Sequence, residues 1–359
     1  MTSITDKDHK KDVTPTSNYR NGSTNYHDQE ARGLSIMSEE KEDGPTRIMN
    51  KLRLVPGCGL VFAILSAIFF AVGAFTVELM DNVVPCFVVT TMSITQFVFF
   101  LPIALYFNEP LSGVKGERFA VLQRSICGYI AFLLGYQSLS FLSFSDVQSI
   151  LFSSPVYVSI FAFFILKEPC GLFQVVSIIV TLCGVAMVAR PTFIFGSVGT
   201  EEDVFTPEER IIGVILCFIV SFSISFGYIA IRQMKKTPTV VVIIMFSLFS
   251  IIAGSITMVV WYYVARDSFI LPHSTTDWIL IGVNGMAGVL AQTSLVLSLK
   301  LEEAGLVSLI RTFDIVCAFF FQCLFLNQPV YWQSIVGAVI ICSGCVAVAL
   351  KKYLESSKR

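Results

Sequence analysis

Ten apolar stretches, each long enough to cross a lipid bilayer as a helix, recur along this chain of 359 residues with only short polar connections between them. They cover residues 58–79, 84–106, 119–139, 145–166, 171–189, 211–231, 240–264, 278–299, 304–326 and 331–350. About 20 residues at a rise of about 1.5 Å each span a hydrocarbon layer of about 30 Å. Each stretch must be helical, because an isolated strand would leave its backbone polar groups unpaired in lipid. Composition excludes soluble domains: 54% of the residues are hydrophobic, only 14% are charged, and the mean hydropathy is +0.73. A water-covered surface ordinarily needs about a quarter of the residues charged. The expected fold is therefore an all-α polytopic membrane protein with ten transmembrane helices, and its first partner is the bilayer.

The first fifty-odd residues differ in kind, being rich in Lys, Asp, Glu, Ser, Thr and Asn. We expect residues 1–57 to form a disordered tail, without a cleavable leader, so that the first span is the insertion signal. The positive-inside rule orients the chain. With the N-terminus in the cytosol, fourteen Lys and Arg residues flank the spans on that side, against Arg190, Arg210 and Arg266 on the other. Both tails, 1–57 and 351–359, are expected to be cytosolic, with 191–210 a lumenal or extracellular loop. The Asn21-Gly22-Ser23 acceptor pattern is then expected to stay unglycosylated. Which organelle or surface membrane holds the chain is left open.

Several function classes drop out. A net charge of −1 and the lack of a basic block with stacking aromatics argue against nucleic acid as a partner. There is no phosphate-cradling loop with a lysine, no metal-ligand spacing and no nucleophile with a histidine base. An enzyme is therefore not expected, nor a cofactor. His9, His27 and His273 all lie outside the spans, which removes a histidine proton relay. Nine of the ten cysteines fall within spans, where they read as small packing residues, Cys342 and Cys345 included.

Self-comparison divides the chain in two. A shift of 160 pairs Gly128 with Gly288, Gly184 with Gly344 and Pro169 with Pro329; a shift of 154 pairs Gly59 with Gly213 and Gly73 with Gly227. Two five-helix repeats are expected, at 58–190 and 211–350. Because five is odd, the second enters the membrane from the opposite face, and the halves are related by a two-fold axis in the membrane plane. Such inverted repeats are a ground plan for alternating access to a central site.

Intramembrane ions need a reason, since Arg or Asp at a helix centre costs about 2.5–3.5 kcal/mol on insertion scales. The ninth span holds two, Arg311 and Asp314, spaced i, i+3, and with Ser308 and Thr312 they form one polar strip. The fourth span offers a counterpart in Ser145, Gln148, Ser149 and Ser153, followed by Ser154 and Pro155. Pro155 withholds a backbone donor and is expected to free a carbonyl near Leu151. We expect Arg311, Asp314, Ser308, Thr312, Gln148, Ser149 and Ser153 to line one substrate cavity. There Arg311 would hold an anionic group in its donor fork, and Asp314 would orient it or take a coupling proton. The plainer reading is a structural ion pair between helices. Arg124 is expected to snorkel to the cytosolic interface. Ser221, Ser223 and Ser225 are expected to serve helix packing, and Gln96, Asn284 and Gln292 to tie helices together. Lys167 and Glu168 are expected to anchor a helix end.

The runs Ser145-Asp146-Val147, Phe152-Ser153-Ser154-Pro155-Val156, Leu166-Lys167-Glu168 and Ala189-Arg190-Pro191-Thr192-Phe193 resemble the EamA-type repeat of the drug/metabolite transporter superfamily. The second half adds Glu303-Ala304-Gly305, Thr312-Phe313-Asp314-Ile315-Val316 and Ala318-Phe319-Phe320-Phe321-Gln322. Within that superfamily the sequence is most similar to the G subfamily of solute carrier family 35, over roughly 58–352. Many relatives carry an arginine in the second helix; here 84–106 has no charge, and Met92 is nearest to that place. The resemblance implies a secondary transporter of a small organic anion, with carboxylates among the candidates. Two alternatives stand beside it: a nucleotide-sugar transporter, and a non-transporting membrane adaptor that regulates calcium handling through protein partners of its tails.

Overall fold

The computed structural model describes residues 57–80, 84–109, 113–138, 140–142, 144–168, 171–189, 206–265, 274–325 and 332–356, with 52, 111 and 272 besides. The N-terminal tail with Asn21, most of the 191–210 connection, Arg190, Arg266 and the three histidines lie outside them. The described residues form helices and turns, with no strand among them. In chain order the helices are α1 (Cys58–Glu78), α2 (Pro85–Tyr106), α3 (Arg118–Ser138), α4 (Phe144–Leu151), α5 (Ser154–Phe161), α6 (Leu172–Ala189), α7 (Pro207–Gln233), α8 (Thr239–Ala265), α9 (Thr275–Leu301), α10 (Ala304–Ile310), α11 (Phe313–Phe325) and α12 (Trp332–Ser356). Grouping α4 with α5, and α10 with α11, gives ten membrane-length spans.

Two helices run past the apolar stretch from which they were read, because polar caps hold their first turns. At α7 the Glu209 carboxylate accepts the Thr206 backbone N–H at 2.7 Å, while the Thr206 hydroxyl accepts the Glu209 N–H at 3.3 Å. At α9 the Asp277 carboxylate accepts the Ser274 N–H at 3.3 Å, and Ser274 Oγ accepts the Thr276 N–H at 3.2 Å. Such caps satisfy donors that a helix start otherwise leaves orphaned.

The helices meet in the pattern that an inverted repeat requires. α1 packs chiefly on α9 and α3 on α7; α2 packs on α8, α5 on α10 and α6 on α12. Numbered as spans, these are 1 with 8, 3 with 6, 2 with 7, 4 with 9 and 5 with 10. Exchanging each span for its mate five places on turns the first pair into the second and leaves the other three unchanged. The contacts thus obey the two-fold, and the two five-helix halves interdigitate. Close approach on the axis needs small residues. Where α6 crosses α12, a Cβ on Gly184 would lie 3.0 Å from the Gly337 carbonyl oxygen, and one on Gly337 only 2.6 Å from that of Gly184. Leu60, Ile231, Ile243, Leu299 and Ile310 are among the side chains of the central core. Phe164, Tyr263, Trp332 and Val339 stand exposed on the perimeter, as lipid contact requires.

Both the fourth and the ninth spans are interrupted. The fourth breaks at Phe152 and Ser153, between α4 and α5, next to Leu151, where Pro155 is expected to free a carbonyl. The ninth breaks at Arg311 and Thr312, between α10 and α11, with neither proline nor glycine at the break.

Candidate functional site

At each break the backbone tightens from i−4 to i−3 bonding. Ser153 N–H reaches Ile150 O at 3.1 Å; Thr312 N–H reaches Leu309 O at 3.2 Å, and Asp314 N–H reaches Arg311 O at 3.1 Å. Hydroxyls complete the accounting: Ser308 Oγ donates to Gly305 O at 2.9 Å and Thr312 Oγ1 to Leu309 O at 2.6 Å. On the other side Ser221 Oγ donates to Ile150 O at 3.3 Å and Ser225 Oγ to Ser154 O at 3.5 Å. These two serines therefore support the broken fourth span from α7, a more specific task than close packing. Irregular backbone at membrane depth is tolerated where protein or a cavity receives it.

A cavity of about 160 Å³ lies between the two breaks. Gln148, Leu151, Phe152, Ser154 and Pro155 line it from the fourth span, Ile224 and Tyr228 from α7, and Ser308, Arg311, Thr312 and Asp314 from the ninth. Of the seven residues expected at the site, the structure brings five together here: Arg311, Asp314, Ser308, Thr312 and Gln148. Ser149 and Ser153 are not in the lining. Ser149 is half-buried on α4, and Ser153 Oγ donates to Ile150 O at 2.6 Å within the break.

The guanidinium of Arg311 is held on three sides. Nη2 pairs with Asp314 Oδ2 at 3.1 Å, Nη1 donates to Ser66 Oγ at 3.0 Å, and the ring of Phe70 lies 4.2 Å from Cζ. Its Nε is buried and has no acceptor among the described residues. Both partners of the pair are largely buried, with 15% and 17% of their side chains exposed. A pair so shielded holds a fixed geometry at the cavity wall, with the Arg311 Nε–H left as a spare donor. Ser66 and Phe70, which lock Arg311 to α1, are polar and aromatic residues in an apolar run, and nothing in their spacing singles them out.

Arg124 departs from expectation. Rather than snorkelling to the interface, it is buried, with 6% exposure. Nη2 donates to Gln292 Oε1 at 2.8 Å, and Cζ lies 4.5 Å from the Phe246 ring centroid. The reason is steric. Side chains on a helix lean towards its N-terminus, which for α3 is its Arg118 end, yet Nη1 lies 2.0 Å from where a Cβ on Gly128 would sit. Glycine one turn ahead opens the path inwards, and Gln292 supplies the acceptor. Asn284 ties helices as expected, Nδ2 donating to Gly73 O at 3.1 Å, whereas neither amide atom of the fully buried Gln96 finds a partner among the described residues.

At the membrane end that carries Cys58, Glu168 joins the halves. Oε1 pairs with Arg232 Nε at 2.7 Å, and Oε2 accepts the Ala304 N–H, first of α10, at 2.9 Å. Arg232 Nη1 also donates to the carbonyls of Leu299 and Lys300, each at 3.3 Å. Glu168 thus does more than anchor a helix end: one carboxylate ties the fourth, sixth and ninth spans together below the cavity.

The EamA-like transporter family matches residues 57–190 and 211–350, both halves of the chain. The chain belongs to the EamA-like transporter family. Membership makes it a multi-pass membrane transporter rather than an enzyme. Human solute carrier family 35 member G1 is 29% identical over 305 residues, covering 84% of this chain and 82% of that protein. The mouse protein of the same name is 28% identical, covering 84% and 81%. A crystal structure superposes with a TM-score of 0.66 at 13% identity, covering 82% of this chain and 98% of the other, which shows a shared fold alone.

Proposed function

We propose that this EamA-family protein moves a small organic anion by alternating access through the cavity between its broken fourth and ninth spans. The observation that carries the reading is the position of Arg311. It stands at the discontinuity of one half, against the matching discontinuity of the other, where transporters built on inverted repeats place their substrates. A guanidinium offers a planar fork to carboxylate or phosphate oxygens, the Gln148 amide adds a neutral donor, and Ser308 and Thr312 line the same cavity. Asp314 orients the fork. When it takes a proton it releases Arg311 to the substrate, which would couple anion uptake to proton entry.

The excess of Lys and Arg on one side supports an orientation with both tails cytosolic. On that orientation the Glu168–Arg232 tie closes the cytosolic end, and access from the cytosol requires the two to part. Domain limits of 58–190 and 211–350 accord with this plan.

The test is flux of labelled organic anions into proteoliposomes. We expect wild-type protein to carry one or more of them and Arg311→Ala to carry none, although it still reaches the membrane. Normal uptake by a well-inserted Arg311→Ala protein would make the pair structural. Unchanged physiology after loss of transport, with dependence on the tails instead, would favour the adaptor reading.

A further inference from the structure

The bundle contains a second arginine whose charge no carboxylate among the described residues balances. Arg311 has Asp314, so that pair adds no net charge to the cavity. Arg124 is more deeply buried, and among the described residues no carboxylate pairs with it. The ionisable side chains nearest to it are those of Tyr228 and Cys127, and neither is a carboxylate. Its polar partner is the uncharged amide of Gln292. A buried cation held by one neutral amide and one aromatic face is expensive in a bilayer and is retained where it has work to do.

Its surroundings connect it with the cavity. Tyr228 lines that cavity, and a Cβ on the adjacent Gly227 would lie 3.9 Å from Arg124 Cδ. Arg124 therefore stands directly behind the α7 wall. One turn from Gln292 on the same helix, Gly288 faces Gln96, whose Nε2 would lie 3.1 Å from a Cβ there. The unpartnered Gln96 amide is thus a near neighbour of the Arg124–Gln292 pair, and among the described residues no carboxylate answers either.

We propose that Arg124 is the charge-selecting residue of this transporter: a fixed, uncompensated cation behind the cavity wall that makes the cavity favour anions according to their charge. This rests on the anion-transport reading above and assigns its selectivity to α3 rather than to the self-neutralised pair on the ninth span. Arg124 acts through the field it sets up and not by touching substrate, so its effect must scale with ligand charge.

Gln292→Glu tests this with minimal steric change, since it places a carboxylate on the existing guanidinium partner. The probes are succinate and succinamate, one skeleton differing by one charge, taken up by proteoliposomes. One cation at roughly 10 Å, across an effective dielectric near 20, changes affinity roughly tenfold per unit of ligand charge. We expect Gln292→Glu and Arg124→Gln to raise KM roughly tenfold for succinamate and roughly a hundredfold for succinate, while Arg124→Lys keeps most of the wild-type ratio. Gln292→Glu decides the matter if Arg124→Gln does not insert. Wild-type KM values in Gln292→Glu, or an equal rise for both probes, would overturn the proposal. Uptake of neither probe by the wild type would instead defeat the carboxylate reading beneath it.

Discussion

Removing Arg311 alone should cost far more stability than removing it together with Asp314, while both should have the same effect on transport. The pair is 3.1 Å long and about five-sixths buried on each side. Breaking such a pair from one side typically costs about 3–5 kcal/mol, because the survivor is an uncompensated charge. In Arg311→Met the stranded Asp314 can relieve itself by taking a proton, so about 3 kcal/mol is the better figure, including lost contact with Phe70 and Ser66. In Arg311→Met/Asp314→Leu no charge is stranded, and replacement of a whole buried pair by apolar side chains is often neutral. The double variant should therefore recover roughly 2 kcal/mol relative to the single one, a coupling that a double-mutant cycle isolates. The assay is unfolding of purified protein against detergent denaturant, read beside uptake from the same preparations. Both variants should fail to transport, and only the single one should be unstable. Uptake by the double variant would refute the assignment of Arg311 to substrate, and equal stability of the two would refute the electrostatic reasoning.

Gly128→Ala puts a Cβ 2.0 Å from Arg124 Nη1 and 2.7 Å from Phe246 Cε2, so it should cost about 1–3 kcal/mol in the same unfolding assay; a wild-type midpoint would contradict the inward path drawn for Arg124. Glu168→Gln weakens the tie to Arg232 and should expose the Cys58 end of the cavity, measured as faster reaction of a cysteine placed at Ser308 with an impermeant thiol reagent added from that side. Glu117 accepts the backbone N–H groups of Lys235, Lys236 and Thr237 and the Thr237 hydroxyl. Burial pushes its carboxyl up, but these donors outweigh it and hold the group below its ordinary 4.5. A carboxyl depressed by folding stabilises fully above the ordinary value and loses that contribution as pH falls through the folded one. Acid should therefore loosen the connection between α7 and α8, seen as faster proteolysis there, and Glu117→Gln should remove the acid dependence.

The ten spans and their division into halves are legible because lipid imposes a length and a composition on every crossing, and an odd number of crossings per repeat dictates the inversion. The fourth-span break is legible too, through Pro155. The ninth-span break is not: Arg311 and Thr312 are ordinary helix residues, and the turn tightens because the Ser308 and Thr312 hydroxyls compete for carbonyls one turn back, a choice that local sequence leaves open. Arg124 was hidden for a different reason. Its direction depends on the space at Gly128 and on an acceptor 168 residues away in sequence, and hydropathy carries no signal for either. Ser149 and Ser153 share the polar strip of the fourth span on paper, but the break at Phe152 and Ser153 ends the helical register that would have kept them on one face.

The central claim is that Gln148 and Thr312, from opposite halves, face one water-filled cavity that opens to each side of the membrane in turn. Single cysteines at these positions, in a protein without its own cysteines, test it through reaction with an impermeant thiol reagent applied to either side of sealed vesicles. The account predicts that both positions react from both sides and that a transported anion slows the reaction at both together. Positions that react only with a lipid-soluble reagent, or always from the same single side, would contradict it.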